Sequence, residues 1–93
     1  MAFSTIRGQR AETALRDAKI LRRDGAGYLA RGRCRYATAL DAAYEIGKAT
    51  AAAVGSGRTD LLPEIRAEWR RIRNLNSAFE RRCGKPDAFR SYL

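Results

Sequence analysis

Apolar residues recur along most of the chain at spacings of three and four, the signature of helices with one buried face. Ala11, Ala14, Leu15, Ala18 and Leu21 fall on one narrow side of a first helix expected over about 5–23. Ser4 or Thr5 suits its N-cap, and Glu12 stands four residues before Arg16, the favourable order for a helical ion pair. Arg22 and Arg23 suit the negative pole of the helix dipole, and Asp24–Gly27 ("DGAG") reads as a stop.

A second helix is expected over about 28–54, with Tyr36, Leu40, Ala43, Gly47, Thr50 and Val54 as its apolar stripe. Gly47 in mid-helix costs about 1 kcal/mol relative to alanine, so close approach of a neighbouring helix over Ala43 and Gly47 is expected to compensate. The segment Gly55–Asp60 ("GSGRTD") ends this helix. Thr59 or Asp60 then caps a third, over about 60–83, with Pro63 tolerated in its first turn.

The third helix has the clearest pattern: Leu62, Ile65, Trp69, Ile72, Asn76, Phe79 and Cys83 alternate threes and fours, as in a coiled-coil seam. Its acids come early (Glu64, Glu68) and its arginines late, as the dipole prefers. Phe89, Tyr92 and Leu93, in the tail over 84–93, are placed to pin that tail onto the bundle.

At ~1.5 Å rise per residue the second and third helices would each span roughly 35–40 Å, antiparallel across a short connection. No segment reads as a strand and there is no internal repeat. The fold class is therefore all-α: a single-domain, antiparallel three-helix bundle with two long helices and a shorter N-terminal one. No family is assigned on the pattern.

Composition changes this picture in one respect. Of 93 residues 45% are hydrophobic, but much of that is alanine, which buries little area. A thin core invites self-association, and the seam of Leu62, Ile65, Trp69, Ile72, Asn76 and Phe79 is the expected oligomer contact. Asn76, its polar member, is of the kind that fixes register.

Charge points to the partner. Lys+Arg number 19 against 10 Asp+Glu, a net +9. Such a surplus attracts nucleic acid or an acidic protein surface. Lysine supplies only Lys19, Lys48 and Lys85; the rest is arginine, suited to bidentate contact with phosphate or carboxylate. A GC-rich genome would raise arginine and alanine together, which bears on the preference over lysine but not on the surplus.

Three basic stripes follow from helical spacing: Arg16, Lys19 and Arg23; Arg31 and Arg35, one turn apart on the second helix; and Arg66, Arg70 and Arg73. Tyr28, beside Arg31, is a candidate to stack a base.

Catalytic chemistry finds little footing. The chain has no histidine, hence neither the usual general base nor the commonest metal ligand. Cys34 and Cys83 are far apart and are read as free, which sets a reduced, cytoplasmic protein as the default. Asp60, Glu64 and Glu68 follow one helix face, but capping and the dipole already account for them, and no metal is expected. "GSG" and "GKAT" lack the strand and the spacing of a phosphate-binding loop. The start "MAFSTIRGQR" lacks the apolar core of a signal peptide, and no apolar run approaches the ~18 residues of a membrane span.

The expectation is thus a non-enzymatic, cofactor-free protein that binds nucleic acid backbone through arginine-rich helix faces. The alternative is an adaptor or small phage-type inhibitor docking on an acidic or nucleic-acid-binding surface of a partner protein. A continuous basic strip favours the first, and an exposed apolar patch ringed by arginine the second.

Overall fold

Three glycines with positive φ punctuate the chain: Gly32 (74°), Gly57 (74°) and Gly84 (75°), each just past the end of a helix. The computed structural model describes residues 2–84, and these form α1 (Ala2–Ala30), α2 (Tyr36–Ser56) and α3 (Leu62–Cys83), with a 3-10 turn over Thr59–Leu61. All-helical architecture is as expected; the boundaries are not. The N-terminal helix is the longest, 29 residues, and does not stop at Asp24–Gly27. The expected second helix begins eight residues late, because its first turns belong to the end of α1 and to the connection over 31–35. The tail residues Phe89, Tyr92 and Leu93 lie outside the described residues.

Closed backbone bonding explains where α1 and α2 end. Arg33 N–H bonds to Tyr28 O at 2.9 Å and Gly32 N–H to Leu29 O at 3.0 Å. The same pattern recurs when Arg58 N–H reaches Ala53 O at 2.8 Å across Gly57. Both are Schellman-type closures, which need a left-handed residue and so select glycine. Arg58 then forms a two-pronged bond to Asp60, 3.0 Å at each nitrogen, and a 2.8 Å ion pair with Glu12. The bond from Arg58 holds the Asp60 carboxyl below its usual range. Asp60 therefore serves the connection and does not cap α3, which starts after Leu61 with no side-chain cap. Glu12 pairs with Arg58, not with Arg16, which lies 3.6 Å from Asp17.

Gly25 explains why α1 continues. A Cβ there would stand 2.7 Å from Thr38 Oγ1 and 2.8 Å from Leu75 Cδ2, so the glycine lets α1 approach α2 and α3 closely. Gly47 is the opposite case: it is exposed, and nothing lies within 4 Å of the Cβ position. The expected helix contact over Gly47 is absent, and no compensation is visible there. Gly47→Ala is accordingly expected to stabilise the chain by about 0.5–1 kcal/mol. Gly25→Ala is expected to destabilise it by about 1–2 kcal/mol, overpacking outweighing the gain in helix propensity. Chemical denaturation of the two variants side by side checks both signs.

The core is largely alanine on alanine. Ala11, Ala14, Leu15 and Ala18 of α1 meet Ala42, Ile46, Ala49 and Ala53 of α2, with Ile65 and Ile72 of α3 closing the third side. A second cluster, Ala39, Leu75 and Phe79, lies toward the start of α2, flanked by Leu29, Tyr36 and Cys83. Small side chains give a thin body, 46 × 26 × 17 Å.

The inner face of α2 is thus Ala39, Ala42, Ile46, Ala49 and Ala53, and the stripe expected from Tyr36, Leu40, Ala43, Gly47, Thr50 and Val54 is rotated from it. Leu40, Gly47 and Val54 stand exposed. On α3 the expected seam is the right face but has a different role. Ile65, Ile72 and Phe79 are buried within the chain, and Leu62 and Trp69 pack half-buried at the core's edge. Asn76 donates to Glu80 at 3.4 Å, and its Oδ1 is buried with no partner among the described residues. Ile65, Ile72 and Phe79 of that seam are thus spent on the bundle's own core, while Leu62, Trp69 and Asn76 stay partly open.

One carboxylate sits fully inside. Glu68 is buried, bonded to Arg22 of α1 and, at 3.1 Å, to Arg71 of α3. Burial of a charge is tolerated only with such partners.

Cys34 and Cys83 are not free. They form a disulfide, Cα atoms 6.0 Å apart, joining the α1–α2 connection to the end of α3. Neither is then available as a thiol nucleophile. Among the described residues no helix is long and apolar enough to cross a membrane.

Candidate nucleic-acid interface

Acidic residues decide which arginines are left over. Lys19 pairs with Glu64, Arg22 and Arg71 with Glu68, Arg58 with Glu12 and Asp60, Lys48 with Glu45. Lys19, Arg22 and Arg58 thereby join separate elements, while Lys48 and Arg71 pair within their own helices. Asp60, Glu64 and Glu68, the acids in line on one face, each answer a different cation, and among the described residues no group of three potential ligands gathers for a metal. Arg23, Arg31, Arg33, Arg35, Arg66, Arg70, Arg73, Arg81 and Arg82 are exposed and have no carboxylate partner among the described residues.

These arginines gather in two connected places. The disulfide holds the connection "RGRCR" against the end of α3, so Arg31, Arg33 and Arg35 share one end of the bundle with Arg81 and Arg82, which immediately precede Cys83. From that end a stripe runs along α3. Arg81, Ser77, Arg73, Arg70 and Arg66 step by four, four, three and four, hence along one side of the helix for ~22 Å. Arg66, Arg70 and Arg73 line an open cleft of about 550 Å³ with Trp69, whose ring is half-buried between core and solvent.

Of the residues singled out from the sequence, Arg66, Arg70 and Arg73 are together as expected. Arg31 and Arg35 come together by another route. Neither is inside a helix: Arg31 follows α1, and Arg35 precedes α2. Their guanidinium carbons stand 5.3 and 4.9 Å from the centre of the Tyr28 ring, which they cover. Tyr28 therefore serves as a platform for these two arginines. The stripe Arg16, Lys19, Arg23 divides, since Lys19 is held by Glu64 and Arg16 by Asp17.

Sequence reasoning missed Arg33, Arg81, Arg82 and the half-exposed Trp69 as a surface residue. Gly32, two residues beyond Ala30, was the available signal that a connection, and not a helix, carries Arg33 and Cys34. A larger groove of about 800 Å³ between α1 and α2 mixes Arg10 and Lys48 with Asp17 and Glu45, and so lacks a single sign.

No known family, curated protein or solved structure matches the chain. The surface itself must carry the functional reading.

Proposed function

We propose that the chain is a non-enzymatic polyanion-binding protein whose ligand is the backbone of nucleic acid. The observation that supports this is the alignment of unpaired arginines along one side of α3 with those of the disulfide end, Ser77 standing between Arg73 and Arg81. A ~22 Å stripe matches several successive phosphates, and guanidinium groups suit bidentate phosphate contact. Trp69, set among Arg66, Arg70 and Arg73, adds an aromatic face against which a base can stack. Nothing in the arrangement resembles a helix presented to a groove for base reading, so contact is with backbone and shape.

The exposed apolar residues of α2 lie on a helix that itself carries no arginine, apart from the arginine stripe of α3. That separation favours nucleic acid over a protein partner for the basic face. The disulfide favours an oxidising setting, where such bonds persist, and the cytoplasmic location expected from two free cysteines loses its basis.

Fluorescence anisotropy with labelled single-stranded and duplex oligonucleotides tests the reading. Affinity should be indifferent to sequence. With ~5 phosphates neutralised, log K should fall against log salt with a slope of about −4 to −5 on duplex and somewhat less on single strands. Binding no tighter than ~100 μM at low salt, weaker than much non-specific association, would end it.

A further inference from the structure

We propose that two copies of the chain pair, antiparallel, through the outer face of α2. Among the described residues four large apolar side chains are exposed, and three of them (Leu40, Tyr44 and Val54) belong to this face. With Ala37, Gly47 and Ala51, also exposed, they form an unbroken series, 37, 40, 44, 47, 51, 54, spaced by threes and fours. A helix apolar on both sides is normally covered on both. Here the inner side meets α1 and α3, and the outer side meets nothing among the described residues.

Size and charge together identify a second copy as the occupant. In antiparallel pairing about a two-fold axis between Glu45 and Ile46, Tyr44 faces the partner's Gly47, Leu40 faces the partner's Ala51 and Val54 faces the partner's Ala37. Every layer then sets a large side chain against a small one, and all six positions are used. Close packing of this kind is what a helix pair requires. It also gives Gly47 the neighbour that it lacks in the single chain.

The same register places Asp41 across from the partner's Lys48, at the flanking positions that meet in antiparallel pairs, and symmetry repeats the match. Asp41 has no cationic partner among the described residues, while Lys48 is shared with Glu45 at 3.3 Å and rests 5.4 Å from the Tyr44 ring. A different register loses either the size match or the charge match.

Net charge opposes association of a +9 chain, and α2 contributes none of that surplus. The whole of α2 carries Asp41, Glu45 and Lys48 and no arginine. Pairing through α2 turns the arginine faces of both copies outward.

Sedimentation equilibrium of the full, disulfide-bonded chain, freed of nucleic acid, tests this at roughly 0.3 M salt, where surface charges are screened. The expected result is a reversible dimer within concentrations of about 5 μM to 0.5 mM, as suits an interface below standard size. Tyr44→Glu, at a side chain already exposed, should keep the helical signal and weaken dimerisation at least about tenfold. Asp41→Lys and Lys48→Asp should each weaken it, and the two together should restore it. A monomer throughout overturns the proposal and leaves the face to another occupant, the chain's own C-terminal segment or a different protein. A dimer that Tyr44→Glu leaves intact, or a charge exchange that fails to restore pairing, overturns it equally. Loss of oligonucleotide binding would not accompany loss of the dimer by Tyr44→Glu if the arginine stripe acts within one copy, so the two readings fail separately.

Discussion

Replacing Cys34 and Cys83 with serine is expected to remove about 2–4 kcal/mol of stability, the largest effect available at the surface of this chain. The bond joins residues 49 apart and so closes a loop containing the whole of α2 and of α3. Denying that freedom to the unfolded chain is worth roughly 4 kcal/mol in the chain-entropy account. Few other contacts do the same service, because the core beneath it consists of Ala39, Leu75 and Phe79 with partly buried Leu29 and Tyr36. A domain of this size should then lose roughly 10–30 °C in melting temperature. Thermal unfolding followed by circular dichroism, on the wild type and the double serine variant, measures it. A loss of only a few degrees would mean that packing, and not the disulfide, secures this end.

The second large effect lies inside. Glu68→Ala should cost about 3–5 kcal/mol, since it leaves Arg22, itself mostly buried, with no opposite charge. Arg71 is about half exposed and loses less. Removing both inner partners is expected to be milder than removing one: Glu68→Leu with Arg22→Leu replaces ions by apolar volume, which is often neutral or stabilising. Denaturant midpoints for the single and double variants decide the matter. If the double variant is as damaged as the sum of the singles, Glu68 has an importance beyond its charge pairing.

These two features were among the least legible in the sequence. Nothing local links Cys34 to Cys83; only the antiparallel return of α3 brings them together. Glu68 looked like a dipole-compensating acid in the first turns of a helix, because a sequence does not reveal that Arg22 arrives from another element. The α1 boundary failed for a related reason. Gly25 and Gly27 read as a stop by propensity, but tertiary packing rewards Gly25 for being small, whereas Gly32 is the residue whose conformation ends the helix.

What depended on strong periodicity came through. Ile65, Ile72 and Phe79 are buried as their spacing implies, and the break after α2 falls at Gly57. On α2 periodicity was ambiguous, because both sides of the helix are apolar. Ile46 with alanines above and below faces inward, and the larger Leu40, Tyr44 and Val54 do not, which an alanine-rich α1 packed at close range dictates. The arginine-rich face was legible as three separate stripes, only Arg66, Arg70 and Arg73 of them on α3, and not as a surface. Its extension through Arg33, Arg81 and Arg82 required the disulfide.

The central claim is that Arg66, Arg70 and Arg73 act with the arginines of the disulfide end on one polyanion. It is tested most directly by the salt dependence of oligonucleotide binding for two variants beside the wild type. With Arg66, Arg70 and Arg73 all changed to alanine, the duplex slope should flatten by up to about 2.7, near 0.9 for each lost phosphate contact. Arg31→Ala with Arg35→Ala should flatten it by up to about 1.8, uniformly across sequences and with helix content unchanged. Slopes that stay at the wild-type value in both variants would contradict the account.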